Sequence, residues 1–480
     1  MALARDVAFP SPYRRAFFLG LVAGAVCFAG TLYWLVETMT TFGDLAPPLA
    51  VVAAGLLVGY LSLFPAFFAV LAVRFVRVFG PIGLLLASPA WVASELGRQY
   101  VWDGFPWELL GYSQVTWLPI AQVASVVGVY GLSALLALSA SVVALAIVDR
   151  GPRRIARRWT PAACTLLLVV CSALWGRSRM AASALTSAGE PVRVAVLQGN
   201  VEQGQKWDPR LVDDISERYL AMSREALAGG ATFILWPESS TPYLFERDIT
   251  RGGAVRRFAH QGQASVLVGS DQVEPVKVTG PGEKPSSRLY NAAFLVKPDG
   301  AIGAVYRKMH LVPFGEYVPL KRLLFFVGPI VEAAGDFTPG LDPVLLPVGS
   351  HMASTAICYE VIYGNMIRDS VRQGSELLTT ITNDAWYGRS SAAYQHWDQA
   401  SMRAIENGRY LARAANTGIS GFVDPYGRVL DRSQLFERKI LIRDLRFLTE
   451  RTTYSRIGDL VAWLSLALVT AALLASLAAR

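Results

Sequence analysis

Three short stretches of this chain carry groups that could do covalent chemistry. Cys358 ends the apolar run Ala356-Ile357 and is followed by Tyr359-Glu360. Glu238 follows Phe233-Ile234-Leu235-Trp236-Pro237, and Lys308 lies within Tyr306-Arg307-Lys308-Met309-His310. A thiol is a good nucleophile and a thioester a good acyl carrier, so a cysteine with its own base and cation suits acyl transfer in two steps. A carboxylate at the carboxyl end of a buried strand lies where open α/β sheets place ligands, and apolar surroundings suit it to general base work. A lysine beside the sulfur could hold a thiolate and stabilise an oxyanion. Each residue also has an ordinary reading. Glu238 could cap a helix or form a surface ion pair, Lys308 could be solvated, and Cys358 could be a buried structural thiol. His310 competes with Lys308 as the partner of the cysteine, and spacing alone does not decide between them.

The surrounding elements would have to present these groups at strand ends. Residues 193–198, 232–236, 265–269, 292–296, 353–357, 377–382 and 419–423 read as strands. Residues 208–227, 255–263 and 395–415 read as helices, the first with apolar positions at Leu211, Ile215, Leu220, Met222 and Leu227 and a Gly229-Gly230 stop. Strands alternating with helices predict an α/β domain. The Pro- and Gly-rich segment 274–287 reads as an exposed loop. Cys358 then sits at a strand-to-turn position, where the next backbone N–H could face an oxyanion.

The rest of the chain has a different character. Of 480 residues, 53% are hydrophobic and only 17% charged, against about 25% charged in an ordinary globular domain. Six apolar stretches approach the roughly 17–25 residues needed to cross a bilayer: 16–36, 49–73, 79–94, 118–148, 159–175 and 460–479. For 79–94 and 159–175 a buried core helix is the competing reading. The net charge of +8 does not imply nucleic acid, because the arginines cluster in short loops. Arg5, Arg14, Arg15, Arg74, Arg77, Arg150, Arg153, Arg154, Arg157 and Arg158 occupy one set of loops, while Glu37, Asp44, Glu95, Asp103 and Glu108 dominate the other. The positive-inside rule makes the first set cytoplasmic. Six spans would leave both termini in the cytoplasm and translocate the region between 176 and 457. The expected organisation is a membrane bundle over 1–176, a catalytic domain over 177–457 and a last membrane helix over 458–480. Of four cysteines, Cys27, Cys164 and Cys171 lie in apolar spans and read as inert packing residues, which leaves Cys358 without a disulfide partner. No CxxC or zinc-type spacing occurs, and neither a cofactor nor a metal site is expected.

Together these motifs resemble the nitrilase (carbon–nitrogen hydrolase) superfamily over about 191–445. The matching residues are Glu238 in Trp-Pro-Glu, Lys308 in Arg-Lys-x-His-Leu-Val-Pro, and Cys358 in Ile-Cys-Tyr-Glu. Further similarity lies in Thr382-Asn383-Asp384-Ala385-Trp386-Tyr387-Gly388, in 404–409 and in 413–418. The resemblance implies a Glu–Lys–Cys triad on an αββα sandwich. A nitrilase-like domain placed before a final membrane helix resembles the apolipoprotein N-acyltransferase family, as do Phe314-Gly315-Glu316-Tyr317-Val318-Pro319 and the segment 105–114. That likeness implies an enzyme of the bacterial inner membrane whose catalytic domain faces the periplasm. It implies transfer of an acyl chain from a phospholipid, typically phosphatidylethanolamine, through a Cys358 thioester. The acceptor would be the α-amine of a diacylglyceryl-cysteine at an apolipoprotein N-terminus. It implies Glu238 as base, Lys308 as stabiliser of the tetrahedral intermediate and Glu316 as a supporting carboxylate. Tyr359 and Glu360 would be pocket residues beside the nucleophile. The family pattern has two further spans at its amino end, eight in all, so the chain is expected to start near the third.

Both substrates have their acyl chains in a bilayer, so the site is expected to face lipid. The apolar run Leu323-Leu324-Phe325-Phe326-Val327 reads as a membrane-dipping arm or as a core element, and Trp386 as a further wall of the pocket or as core. A membrane-tethered amidase acting on a small soluble amide is the alternative enzyme, although six spans exceed what an anchor requires. A non-catalytic binding protein is disfavoured by the intact trio. A transporter is disfavoured because no charged residue lies well inside a span.

Overall fold

In the computed structural model the described residues are 11–149, 155–276, 286–313, 315–317 and 337–478. The apolar run 323–327 lies outside them, as do Phe314 and Val318. Two compact units emerge. One comprises Met1–Val36, Ala46–Ser183 and Thr452–Arg480; the other comprises Glu37–Leu45 and Ala184–Arg451.

The first unit is helical. Among the described residues, five helices are long and apolar enough to cross a membrane: Pro12–Thr31, Pro47–Phe79, Ala124–Val148, Trp159–Ser187 and Leu460–Ala478. Their outward faces are apolar, with Val26 and Leu56 each 71% exposed and Leu166 65% exposed. Large aliphatic side chains turned outward on several helices mark a surface solvated by hydrocarbon rather than water. The protein is therefore membrane-integrated. The same logic corrects the reading of Cys27, Cys164 and Cys171, which lie exposed rather than packed. An outward apolar face accepts a small thiol as readily as a core does.

The expected span 79–94 takes another form. Gly80, at φ 70°, ends the preceding helix, Pro81–Leu86 forms a 3-10 turn, and Ala87–Tyr100 is a separate helix. This helix buries Glu95 and Arg98. Glu95 Oε1 accepts hydrogen bonds from Trp91 Nε1 at 3.0 Å and from the Leu110 backbone N–H at 2.7 Å. The Arg98 guanidinium donates to the Trp107 carbonyl. Buried charges in such a setting need partners, and the chain turn at 105–112 supplies them as backbone groups.

The second unit contains two six-stranded mixed sheets. In the first, β1 (Glu190–Gln198), β2 (Phe233–Leu235) and β3 (Ser265–Val276) run parallel. To this centre β4 (Ser286–Val296), β5 (Ile302–Arg307) and, beyond β1, β12 (Lys439–Phe447) add antiparallel edges. The second sheet repeats the plan. Parallel β7 (His351–Ile357), β8 (Leu377–Thr382) and β9 (Leu411–Ala415) are flanked by β6 (Leu346–Val348), β10 (Gly421–Val423) and β11 (Val429–Arg432).

Alternation along the strands explains the layering. Val194 and Val196 of β1 join Phe233, Leu235 and Leu267 against Ile357, Leu377, Ile381, Ala412 and Phe422 of the second sheet. Ala195, Leu197, Ile234, Val266 and Val268 face the other way, onto the helices Val212–Ala228 and Arg251–Gly262. Helices Gly364–Gln373 and Ala392–Asn407 cover the second sheet. The order is therefore helix, sheet, sheet, helix, the expected αββα sandwich.

Two sequence readings change here. The helix expected over 395–415 stops at Asn407, because Gly408 adopts a left-handed cap at φ 60° and the chain restarts as β9. The expected loop 274–287 is shorter than its composition suggests, since Glu274 pairs with Arg288 and Val276 with Ser286 in the β3–β4 ladder.

Candidate active site

Glu238 lies three residues beyond β2 and is 6% exposed. Its backbone is fixed by the close passage of β3: a methyl on Gly269 would lie 2.2 Å from the Pro237 carbonyl oxygen. The carboxylate is held from two sides. Oε2 accepts the Asn383 backbone N–H at 2.8 Å, and Oε1 accepts Asn291 Nδ2 at 2.7 Å. Lys308 follows β5 and is 1% exposed. Its Nζ lies 2.8 Å from Glu316 Oε1 and 3.5 Å from Glu238 Oε1. Asn291 Nδ2 also donates to Glu316 Oε1 at 3.1 Å, so one amide and one ammonium bridge the two carboxylates. Glu316 Oε2 in turn accepts the Val312 N–H at 2.8 Å, which closes the loop after Lys308. Burial alone would pull the Lys308 ammonium down, but Glu316 and Glu238 together hold it well above the usual lysine range. The charged form of Lys308 is thus favoured, while the His310 ring lies against Tyr363, with ring centres 3.9 Å apart and planes tilted by 38°.

Cys358 sits at the junction of β7 and the 3-10 turn Cys358–Ile362, with φ at +53°. A non-glycine residue in that region costs on the order of 1–3 kcal/mol and persists only when its surroundings over-determine it. Two devices do so. Glu360 is fully buried and accepts the Ile357 N–H at 2.7 Å through Oε2. Through Oε1 it accepts the Met309 and His310 N–H groups and the Tyr306 hydroxyl at 2.6, 3.1 and 2.9 Å. One carboxylate thus ties the cysteine turn to the lysine loop. On the other side, His396 Nε2 lies 3.1 Å from the Cys358 carbonyl oxygen. Burial and the neighbouring Arg413 push His396 below its ordinary value, against the opposing pull of Asp384. Nε2 donates to the carbonyl, while Nδ1 lies 2.9 Å from Arg413 Nη2 and 3.0 Å from Asp384 Oδ1. Asp384 completes the group, with Oδ2 at 2.9 Å from Arg413 and Oδ1 accepting the Thr382 hydroxyl at 2.7 Å.

Burial pushes the Cys358 thiol well up, the Glu238 charge adds to this, and Lys308 opposes it. Burial thus favours the thiol over the thiolate, and the sulfur feels both the carboxylate and the ammonium. A thiol so held would need its proton taken during attack rather than beforehand.

Of the residues singled out from sequence, Glu238, Lys308, Glu316 and Cys358 converge. Tyr359 is buried next to Cys358 in the chain, its hydroxyl accepting from that of Tyr363 at 3.1 Å. Glu360, expected as a pocket residue, spends its oxygens on backbone bracing. Trp386 is 36% exposed, in the 3-10 turn Asp384–Tyr387. Sequence reasoning did not single out Asn291 or His396. Asn291 stands mid-strand in β4, and His396 within a buried helix. The only sequence signal for either was a polar residue in an apolar element. Among the described residues, no group of three or more His, Cys, Asp or Glu could hold a metal ion.

The sandwich and its site define a carbon–nitrogen hydrolase domain, and residues 193–454 match that family. Residues 2–142 match the apolipoprotein N-acyltransferase N-terminal domain. The apolipoprotein N-acyltransferase of Geobacter metallireducens is 40% identical over 471 residues, covering 97% of this chain and 88% of that one. That of Methylococcus capsulatus is 35% identical over 455 residues, 94% of this chain and 85% of that one. Among solved structures, an amidase from Nesterenkonia sp. aligns at 23% identity over 56% of this chain and 95% of that one, with a TM-score of 0.39. The chain belongs to the apolipoprotein N-acyltransferase family and is an acyltransferase.

Proposed function

We propose that this enzyme moves an acyl chain from a phospholipid to the α-amine of the diacylglyceryl-cysteine at an apolipoprotein N-terminus, by way of a thioester on Cys358. The observation that carries the reading is a buried thiol under the charges of Glu238 and Lys308, in a chain whose helices turn aliphatic side chains outward.

In the first half-reaction Sγ attacks the ester carbonyl carbon while Glu238 takes the thiol proton. The negative charge that develops on the carbonyl oxygen is stabilised by Lys308, which Glu316 holds as a cation. The carbon–oxygen bond then breaks, Glu238 returns the proton to the departing alkoxide, and lysophospholipid leaves. In the second half the neutral amine attacks the thioester carbon, Glu238 receives the amine proton, the carbon–sulfur bond breaks and the proton passes to Sγ. Tyr359 stands as a pocket residue beside the nucleophile, and Glu360 braces the turn. Phosphatidylethanolamine is the donor that the family resemblance suggests.

The arginine distribution supports a catalytic unit on the periplasmic face of the inner membrane and cytoplasmic termini. This topology keeps the segment 79–94, carried by the 3-10 turn Pro81–Leu86 and the first part of the helix Ala87–Tyr100, as a sixth crossing.

The decisive experiment supplies phospholipid without acceptor and weighs the intact protein. A mass gain of one acyl group, released by hydroxylamine and missing in Cys358→Ser, is the expected result. Active enzyme that never gains the adduct would end the thioester reading. Ammonia release from simple amides, indifferent to lipid, would instead favour a soluble-amide hydrolase.

A further inference from the structure

Residues 37–45 lie in sequence between the first two long apolar helices, yet they belong to the same compact unit as the catalytic sandwich. Their contacts converge on one short turn. Thr38 Oγ1 donates to the Trp386 carbonyl at 2.8 Å. The Phe42 ring meets the Trp386 indole edge-on, with centres 5.5 Å apart and planes at 73°. Gly388, at φ +55°, passes so close that a methyl there would lie 3.1 Å from Glu37 Oε1. That turn has a second side. Asp384 Oδ2 holds Arg413, and Asp384 Oδ1 lies 3.0 Å from His396 Nδ1. Tyr387 meets the same imidazole edge-on at 5.9 Å. His396 in turn donates to the Cys358 carbonyl. The turn 384–388 is therefore gripped by the histidine network behind Cys358 on one side and by residues 37–45 on the other.

We propose that Thr38 and Phe42 are positioning residues that hold the Trp386–Gly388 turn in the form that admits long acyl chains to the nucleophile. The inference rests on the acyl-transfer reading above. Trp386 offers a large, partly exposed apolar surface in the same turn as Asp384, which suits it to line the path of an acyl chain. A short, water-soluble ester would reach Cys358 without that surface; a diacyl phospholipid would need it. The segment therefore acts on substrate class and not on the bond-making groups themselves.

The test compares two acyl donors on the full-length enzyme in detergent micelles. Cys358 acylation is timed with p-nitrophenyl acetate and with dipalmitoyl phosphatidylethanolamine. Phe42→Ala is expected to keep the acetate rate within about twofold and to slow the phospholipid rate about 10- to 100-fold, the range in which misplacement remote from the chemistry acts. Thr38→Val should move the same way by less, and Thr38→Ser should restore the parent rate. Hydrogen exchange at 384–388 should quicken in Phe42→Ala. Equal slowing with both donors would overturn the inference by making the segment merely structural. An unchanged phospholipid rate, or unchanged exchange at 384–388, would overturn it as well. If the parent enzyme forms no adduct with either donor, the thioester reading fails instead, and the same comparison on final N-acylated product decides the inference.

Discussion

Lys308 carries the clearest charge requirement in the site. It stands between Glu316 and Glu238 and is 1% exposed, so replacing it strands two carboxylates in the interior. Removing one member of a buried ionic cluster costs about 3–5 kcal/mol. Lys308→Met, which keeps the length of the stem, should lower stability by that order and slow acyl-enzyme formation by about a hundredfold or more. Thermal unfolding, set beside acylation rates, checks both halves. Asp384→Asn tests the other cluster: Arg413 is fully buried, and losing its counter-charge should cost a similar amount. Loss of stability with normal acylation would show that the histidine network does not act on the cysteine turn. At this scale the groups that the fold brings together were legible, because Glu238 and Cys358 end apolar runs and Lys308 sits in a short distinctive motif. Asn291 was not: a lone asparagine in a strand does not announce that it bridges two carboxylates brought from 53 and 25 residues away.

At the level of elements, β1, β2, β3, β7 and β8 were readable as apolar runs, since both faces are buried, and so were the apolar stretches of β4 and β10. β5, β6, β11 and β12 were not. β12 reads Lys439-Ile440-Leu441-Ile442-Arg443-Asp444-Leu445, mixed in polarity because its outer positions meet water. β9 merged with the preceding helix because Leu411-Ala412-Arg413-Ala414-Ala415 has good helix formers throughout. Gly408 separates the two, and it alone can take the φ of 60° without strain. Gly408→Ala should destabilise the protein by about 1–2 kcal/mol, the cost of a side chain in the left-handed region. Thermal unfolding measures the effect, and a neutral outcome would mean that the cap relaxes. The membrane segments show the same lesson. Residues 79–94 look like one span by hydropathy, but Gly80 and Pro81 break the helix, and Glu95 and Arg98 find backbone partners that no apolar window reveals.

Across the whole catalytic sandwich, His351 links the two sheets. It begins β7, yet its Nε2 lies 3.0 Å from Glu190 at the start of β1. Its Nδ1 lies 2.5 Å from Glu376, and the ring stacks on Phe447 of β12 at 4.3 Å. Partial burial disfavours the charged ring, but the two carboxylates outweigh it and raise its pKa. Glu376 also feels Arg409. Because the folded value exceeds the unfolded one of about 6.5, the contribution to stability is full below that pH. It fades as pH rises through the folded value. The parent should therefore lose thermal stability between pH 6 and mildly alkaline conditions, and His351→Gln should flatten that slope. Parallel slopes in the two proteins would remove His351 from this role.

The pairing of β1 with β12 has a consequence for synthesis. Glu190 is matched to Phe447 and Gln198 to Lys439 along nine consecutive positions, so the partner of β1 leaves the ribosome some 250 residues later. Throughout that interval a nascent chain presents a nine-residue, largely apolar edge with unsatisfied amides, the kind of surface that invites aggregation. Chaperone protection is needed longest at that edge. Ribosome-stalled chains ending before residue 439 should be cut by protease within β1, and chains extended past 447 should resist.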